Sequence, residues 1–402
     1  DTKCAEVQFL CERLHDARIA PLVINISVGL GESALCADIG REQVFAAAGL
    51  AWQDIRDRPK GELIRLMQEA VKVTVRDLHE RGKINGIIAI GGVQNTSIAV
   101  GAMQMLPIGF PKVVATTIAS GNRPFKSVVG NKDIVVIPSI ADFSGLNVIT
   151  RAIIANAAAA LAGLVTFAGR PLEKSGKVVV GISLMGITNV AAAFIVDELS
   201  KAGIETIGFH ATGAGGSIME QLAEEKIIDA ILDLTTHEIT AEYFGGGFSH
   251  GAFERLLKPL KSGIPVLVCT GGLDFVDYSI ADCPLDLSKR KYNKHNAELA
   301  HIKITVNEAR DIGKIFAERL AWGKNGVTVL IPKNGMRLNT RPGESLYDGD
   351  VDRALVDSIK KYAPDTAVIK EIDGNINDES WARSAAREML KILISSGFPV
   401  NG

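Results

Sequence analysis

The sequence has few aromatic residues and no excess of either charge. Aromatics make up 5% of its residues, which argues against the stacking platforms that bind single-stranded nucleic acids. Its 44 basic and 46 acidic side chains nearly cancel, so charge gives no reason to expect a nucleic acid or an anionic membrane as partner. By inspection no apolar run reaches the roughly 20 residues of a membrane span, and we expect a protein without one.

Cysteine is scarce as well, and its spacing excludes two common roles. The chain has five cysteines, an odd number, and no CxxC pair. This pattern suggests neither a disulfide framework nor a zinc site, and it is typical of a protein of the reducing cytoplasm. The five are Cys4, Cys11, Cys36, Cys269 and Cys283.

Strand-length apolar runs followed by Gly, Ser or Thr recur along the whole chain. With 402 residues, of which 47% are apolar, the chain can form two domains. From Val178 onward strand and helix patterns alternate throughout, which predicts a parallel sheet. We therefore predict an α/β protein of two Rossmann-like, doubly wound domains, residues 1–170 and 177–402, with a ligand cleft between them.

The start of the chain is unusual for such a domain. A helical pattern begins directly after Asp1, with Leu10 and Leu14 on its apolar face. An α/β domain normally places a strand before its first helix, so we expect that a first strand is missing ahead of Asp1. The next apolar run, Leu22–Val28, predicts a strand.

The stretch 84–121 carries the first candidate site. The buried-strand pattern Ile87–Ile90 ends at a glycine pair, and a polar loop, 94–97, precedes a short helix. Glycines permit close backbone approach, and the N-terminal amides of a helix attract anions such as phosphate. The alternative is that the glycines only form a tight turn. The predicted contacts, including the loop after the next strand, are Gly91, Gly92, Asn95, Thr96, Ser97, Ser120 and Gly121.

A second small-residue loop, HATGAGG, follows the strand pattern that ends at His210. Like the first candidate site, it places glycines directly before a predicted helix, where an anion can approach the backbone amides. It does not match the dinucleotide-binding fingerprint G-x-G-x-x-G. His210 would serve as general acid or base, or orient a phosphate, unless it is an ordinary hydrogen-bonded structural histidine. The predicted anion contacts in this loop are Thr212, Gly213, Gly215 and Gly216.

Three weaker features complete the candidates. Asp274, which follows a glycine pair, is a candidate Mg²⁺ ligand, although a single carboxylate is weak support. The basic residues between Arg290 and His295 are either a solvated face or an anion contact. The glycine-rich stretch 245–250 is a candidate lid. We find no nucleophile–base–orienter set that would define a reaction.

Taken in order, the motifs resemble the family of the tomato mosaic virus resistance protein and its bacterial and fungal homologues. The resemblance covers essentially the whole chain. It implies a dimeric two-domain α/β protein that binds ATP with Mg²⁺ and a protein partner, with Lys3 close to the ligand. The family's first loop is richer in glycine than GGVQNTS here. The matching strings are DTK at Asp1, LPIGFPKVVATTIASG at Leu106, FHATGAGG at Phe209, LDLTTHE at Leu232 and NIND at Asn375.

Three hypotheses follow. The first is a nucleotide-binding protein of that family, with phosphate held by the first loop. The second is an enzyme for a small phosphorylated or carboxylated metabolite, in which HATGAGG grips the anion and His210 moves a proton. The third is a protein-interaction module whose nucleotide site is regulatory.

Overall fold

The computed structural model describes residues 3–29, 37–119, 129–168, 174–249, 254–324 and 326–400. It divides into two compact units, residues 1–173 and 174–402. The division falls in the interval between the two predicted domains, 1–170 and 177–402. The predicted contacts Ser120 and Gly121 lie outside the described residues, as does His250 in the candidate lid.

The N-terminal unit is built on a three-stranded parallel sheet in the order β1-β2-β3. The central strand is buried on both faces, as expected for a parallel strand covered by helices on each side. Its elements are α1 (Cys4–Asp16), α2 (Arg41–Ala47), α3 (Trp52–Ile55), α4 (Lys60–Glu80), β1 (Ile87–Gly91), α5 (Val93–Met103), β2 (Lys112–Thr116), β3 (Val135–Pro138) and α6 (Val148–Gly163).

The predicted strand Leu22–Val28 is wrong. This segment forms only an isolated parallel bridge, from Ile24 to Ile39, and belongs to no sheet. Its β-branched residues have strand propensity, but a strand also needs a neighbour with which to pair. Among the strands that the structure describes, β1 pairs only with β2 and so lies at the edge of the sheet.

Helix α6 corrects the expectation that no segment is long and apolar enough for a membrane span. It begins at the cap Asn147, whose side chain accepts hydrogen bonds from the backbone of Ile149 and Thr150. With the π-helical turn that follows, Val148–Phe167 forms 20 residues of mean hydropathy 1.8. Length and composition alone are weak evidence, because the core helix of a soluble protein passes the same test. One side of α6 packs in the same apolar cluster as α1, β1 and β2.

The C-terminal unit contains a six-stranded parallel sheet in the order β12-β11-β7-β6-β4-β5. α7 and α13 pack together in one core cluster with the sheet. Its elements are β4 (Val179–Leu184), α7 (Asn189–Lys201), β5 (Glu205–His210), α8 (Gly215–Glu224), β6 (Ala230–Thr235), α9 (His237–Tyr243), α10 (Leu257–Ser262), β7 (Val266–Gly271), β8 (Phe275–Ser279), β9 (Tyr292–Lys294), β10 (Leu299–Lys303), α11 (Val306–Leu320), β11 (Val327–Pro332), α12 (Gly349–Tyr362), β12 (Ala367–Ile372) and α13 (Glu379–Ser395).

Strand and helix do not alternate throughout this unit, contrary to the sequence prediction. β8, β9 and β10 form a separate antiparallel sheet in the order β8-β10-β9. β8 is buried along nearly its whole length, including Asp277. A strand buried on both faces does not alternate polar and apolar residues, so the sequence pattern did not indicate it. The structure thus shows an α/β protein with mostly parallel sheets, and the Rossmann-like, doubly wound character stays a prediction.

Candidate functional site

The start of α5 forms an open helix N-terminus. β1 ends at Gly91, Gly92 occupies the cap position, and the helix begins at Val93. The predicted loop 94–97 is therefore wrong, since these residues form the first turns of the helix. No side chain of the described residues caps this end, and the first turn of the helix contains no acidic residue. The first amides of a helix have no intrahelical acceptor, so this end is left with its positive character uncompensated.

The predicted contacts on this stretch divide into two groups. Gly92 and Asn95 line a cavity at the helix end, whereas Gly91, Thr96 and Ser97 do not. The Thr96 hydroxyl is buried and lies 2.6 Å from that of Thr116 on β2, so it ties the helix to the sheet. The Ser97 hydroxyl accepts a hydrogen bond of 2.7 Å from the Gln68 side chain.

Gly91 is a glycine for a local reason. Its φ of 147° is in the region that side chains rarely adopt, and a Cβ there would lie 2.8 Å from the Cβ and side-chain nitrogen of Asn95. Asn95 thus packs directly over the end of β1. A larger residue at Gly91 would displace the first turn of α5.

A cavity of about 780 Å³, which we call the N-terminal cavity, opens at this helix end. Four basic side chains and one carboxylate line it, which leaves a net positive lining, although Arg58 pairs with Glu62 at 2.6 Å and Arg56 with Asp57 at 3.7 Å. Aliphatic residues form much of the remaining wall, and no aromatic residue lines it. The charged lining residues are Lys3, Arg56, Asp57, Arg58 and Lys60, and the segments 23–29 and 92–95 complete the wall.

Lys3 lines this cavity from the start of α1. Its ammonium group donates a hydrogen bond to the carbonyl of Phe143, and it forms no ion pair with a carboxylate of the described ranges. The same turn of α1 is fixed by Glu6, whose buried carboxylate accepts a hydrogen bond of 2.9 Å from the Gly145 amide. Lys3 is thus a positioned cation whose charge has no counter-ion in the described part of the chain.

The outer wall of the cavity, residues 23–29, is held in place by the segment 37–41. The Asn25 amide donates to Ile39, the Ile39 amide donates to Val23, and Arg41 donates to the Gly29 carbonyl. The guanidinium of Arg41 also lies 4.3 Å from the ring centroid of Trp52. These contacts keep the wall extended, and Ile24, Ile26 and Val28 pack with the core of the unit.

The second candidate loop is occupied by the protein itself. Gly215 and Gly216 are the first residues of α8 rather than loop residues. One oxygen of the Glu238 carboxylate accepts hydrogen bonds from the amides of Gly213, at 2.7 Å, and Gly216, at 3.3 Å. A Cβ at Gly216 would lie 2.0 Å from the other oxygen. The anion predicted for the end of this helix is thus a side chain of the same unit.

Arg255 completes this buried site. Its guanidinium donates hydrogen bonds to Glu238, to Glu220 and, at 2.9 Å to each oxygen, to Asp233. All four side chains are almost wholly inaccessible to solvent. Burial raises the pKa of Glu220 and of Asp233 above the ordinary values, and the charge of Arg255 opposes that rise. We call these four residues the Arg255 cluster.

His210 lies at the exposed end of β5, which is an edge strand of the sheet. Its backbone carbonyl would be 2.0 Å from a Cβ at Gly215, so glycine there lets the chain turn closely from strand to helix. Thr212 donates its amide to the same carbonyl at 2.8 Å. The acid–base role of His210 stays a prediction, while its backbone has a clear structural part in this turn.

Asp274 is not placed to hold Mg²⁺. It is fully buried and forms ion pairs with Lys303, at 2.8 Å, and with Arg337, at 3.2 Å. Burial would raise its pKa, but these two cations lower it to about 2. In the ranges that the structure describes, no three His, Cys, Asp or Glu residues are grouped as a metal site would require.

A second buried pair escaped the sequence analysis. His237 at the start of α9 lies 3.3 Å from Asp277, which also accepts a hydrogen bond of 2.8 Å from the Ser249 hydroxyl. Burial alone would lower the pKa of His237, but the carboxylate of Asp277 raises it overall. Ser249 is therefore a buried structural residue rather than part of an open lid.

The basic cluster is partly neutralised within its own unit. Arg290 pairs with both carboxylate oxygens of Glu308, and Lys291 pairs with Asp348 at 3.0 Å. The charges of Arg290 and Lys291 are thus neutralised by carboxylates of the same unit, as is common on a folded protein surface. The N-terminal cavity also contains paired cations, Arg56 and Arg58, but it combines Lys3 with an open helix end, whereas the helix end at α8 is filled by Glu238.

Comparisons with known proteins match the chain along its whole length. Residues 1–170 match the N-terminal domain, and residues 177–393 the C-terminal domain, of an uncharacterised protein family, UPF0261. A UPF0261 protein of Clostridium tetani is 35% identical over 98% of this chain and 97% of its own length. The ToMV resistance protein Tm-1(GCR237) of Solanum lycopersicum is 30% identical over 98% of this chain, which spans 54% of that longer protein.

Proposed function

The chain belongs to the UPF0261 family, and we propose that its N-terminal unit binds a phosphate-bearing ligand in the N-terminal cavity, with ATP as the first candidate. One observation carries this proposal: the uncapped end of α5 lines the same cavity as Lys3, whose ammonium donates to the Phe143 carbonyl and has no counter-ion among the described residues. Backbone amides at a helix end and a lysine charge together form a common type of phosphate site.

The size and lining of the cavity favour a ligand larger than inorganic phosphate. A volume of about 780 Å³ is within the range of roughly 300–1,000 Å³ that is typical of small-molecule sites. Arg56, Arg58 and Lys60 provide further positive charge, and aliphatic residues of the wall at 23–28 offer a surface for a base or another apolar group. Because Asp57 is the single carboxylate in the lining, Mg²⁺ would bind through the ligand's phosphates.

The test uses two substitutions that act on the cavity in different ways. Lys3→Ala removes the positioned cation, and Gln94→Glu adds a nearly isosteric negative charge in the first turn of α5. Each should weaken ATP binding, measured calorimetrically with and without Mg²⁺, by roughly ten- to hundred-fold, since a charged hydrogen bond contributes about 1.5–3 kcal/mol. Gln94→Glu should leave the melting temperature unchanged or raise it, because a carboxylate stabilises a helix N-terminus.

Two control variants make the same charge changes elsewhere. Gln8→Glu changes an exposed residue of α1, and Lys258→Ala removes an exposed lysine of the C-terminal unit, so both should bind ATP as the parent does. Equal affinity of Lys3→Ala, Gln94→Glu and the controls would reject the cavity as the site. An absence of heat with millimolar ATP, and with other phosphate compounds, would reject the function itself.

The remaining expectations stay proposals. The exposed apolar residues of α6, of which Val148 is 85% exposed, and the neighbouring Phe167, at 89%, support a homodimer, to be tested by molar mass in solution. Cytoplasmic location, a protein partner and a ligand cleft between the units are proposed from the sequence alone. A metabolite enzyme acting through the loop at His210 is less favoured, because Glu238 already occupies the helix end beside it.

A further inference from the structure

Three adjacent strands of the six-stranded sheet bring side chains together beyond their carboxyl ends. His237 begins the helix after β6, Phe275 begins β8 shortly after β7 ends, and Arg337 lies in the loop after β11. The rings of His237 and Phe275 stack with their centroids 4.0 Å apart, and the guanidinium carbon of Arg337 lies 4.3 Å from the same Phe275 centroid. This edge of an open α/β sheet is where ligands commonly bind, so the cluster has the position of a binding site.

The antiparallel sheet presents a polar face to this cluster. His301 on β10 lies opposite Asp277 on β8 and Asn293 on β9, and such opposed residues project from the same face of a sheet. The alternate residues of β8 and β10 project from the other face and belong to an apolar core cluster. The ring of His301 lies 4.9 Å from that of Phe275 and 4.8 Å from that of His295. His301 therefore lies between the buried Phe275 and the exposed His295.

Two buried side chains of this cluster have polar atoms without a partner. Arg337 is 1% exposed, and its Nε donates to Asp274 at 3.2 Å, but its buried Nη2 donates to no acceptor in the described ranges. His301 is 8% exposed, and its ring nitrogens form no hydrogen bond with any residue that the structure describes. Buried donors of folded proteins are nearly always paired, because a buried N–H without an acceptor is unfavourable. The cluster thus offers donors for an acceptor from outside the chain.

The charges around His301 favour an anion. Burial lowers the pKa of His301 to about 4, and the positive charge of Arg337 contributes to the fall. Protonated His295 and His237 act in the same direction, and the Asp277 carboxylate opposes them. At neutral pH the His301 ring is therefore uncharged, with one N–H that can donate a hydrogen bond. Positive groups predominate around this ring, which favours the binding of an anion beside it.

We propose that Arg337 and His301 bind the oxyanion of a small molecule, a carboxylate or a phosphate. Nη2 of Arg337 donates to one oxygen and the ring N–H of His301 to another, and His295 contacts the ligand from the solvent side. Phe275 holds Arg337 and His301 in place through its ring contacts. An oxyanion suits this arrangement because charge-assisted hydrogen bonds from arginine are among the strongest in proteins. The site lies wholly in the C-terminal unit and needs no part of the N-terminal cavity.

The experiment follows the histidine ring signals of the full chain by NMR while inorganic phosphate or malonate is added, with sodium chloride keeping the ionic strength constant. The signals of His301 and His295 should shift to a plateau, and the pKa of His301 should rise, because an adjacent anion favours the imidazolium form. Saturation at a lower concentration of phosphate indicates a phosphate ligand, and the reverse order indicates a carboxylate. No saturable shift at millimolar concentrations of either anion would overturn the proposal.

Matched variants localise the effect. Arg337→Gln and His301→Gln each remove one proposed contact and should weaken binding roughly ten-fold or more, the usual result of losing a hydrogen bond to a charged group. Binding to His301→Gln is read from the signal of His295. The control His15→Gln changes an exposed histidine of α1 and should bind as the parent does. Lys3→Ala, which tests the N-terminal cavity, should also leave these shifts unchanged, so the two proposals can fail separately. Equal affinity of the two site variants and the control would contradict the site, and if Arg337→Gln does not fold, His301→Gln decides the question.

Discussion

Substituting Arg255 by Met should strongly destabilise the C-terminal unit. The substitution keeps the length of the side chain but leaves three carboxylates, Glu220, Asp233 and Glu238, buried without a cation. Removing one partner from a buried ion pair typically costs about 3–5 kcal/mol. Because burial already raises the pKa of Glu220 and Asp233, they can take up protons in the variant, so we expect a loss of about 3–5 kcal/mol at neutral pH rather than a multiple of it.

The stability of the variant should also change with pH in a defined direction, which provides a second test. Loss of Arg255 should raise the pKa values of Glu220 and Asp233 in the folded variant further above those of the unfolded chain. The folded variant then binds more protons than the unfolded one above about pH 4, so its stability falls as the pH rises through that window. The deficit relative to the parent should therefore be smaller at pH 5 than at pH 8. Adding Glu238→Gln to the variant should recover part of the loss.

The assay is urea denaturation, in which unfolding of the C-terminal unit is followed separately from that of the N-terminal unit. The probe lies in the C-terminal unit, for example at Trp381, which is fully buried. The control is Lys258→Met, which removes an exposed ion pair with Glu224 on the same helix as Glu220. Exposed pairs contribute about 0–1 kcal/mol, so this variant should stay close to the parent. A loss below about 1 kcal/mol for Arg255→Met would refute the view that the cluster depends on its single cation.

Two further predictions concern positions near these clusters. Gly216→Ala should cost at least about 2 kcal/mol in unfolding free energy, because its Cβ would meet Glu238. The control Gly163→Ala, with nothing within 4 Å of its Cβ, should be neutral or stabilising. Similar losses in the two variants would contradict the close contact at Gly216. Asp277, whose pKa is held at about 2 by His237 against the effect of burial, should contribute about 2 kcal/mol above pH 4 that is lost as the pH falls toward 2. Acid titration of Asp277→Asn should lack this component, and an unchanged profile would contradict the pairing.

Local signals in the sequence locate most regular elements. The apolar run Lys112–Thr116 by itself predicts a strand with the observed bounds, and the helical periodicity of Gly61–Arg81 predicts a helix shifted by one residue from the observed Lys60–Glu80. Apolar periodicity and helix stop signals are short-range properties: β2, an apolar run, is buried throughout, and α4 buries one apolar face. Leu22–Val28 shows the limit of this reasoning, because its strand propensity has no partner in the sheet.

The candidate site was predicted only in outline. The glycine pair at 91–92 correctly indicated a helix end beside a strand. The polar residues 94–97 predicted a loop, whereas the helix already begins at Val93. Glu238 lies 25 residues from Gly213, and nothing local shows that its carboxylate caps α8. The cavity residues Arg56, Arg58 and Lys60 were missed because they form an ordinary charged stretch whose position beside α5 depends on tertiary packing.

The Glu238 carboxylate at the start of α8 acts as an anionic ligand that is covalently attached to its own binding site through the polypeptide chain. Its binding is intramolecular, so free anions compete with an effective concentration that is commonly millimolar or higher, and Glu238 keeps its second oxygen on Arg255 at the same time. A phosphate compound at micromolar concentration would rarely displace it. The two glycine loops of this sequence thus differ in occupancy: the end of α8 holds a tethered carboxylate from the moment of folding, whereas no side chain of the described residues caps the end of α5.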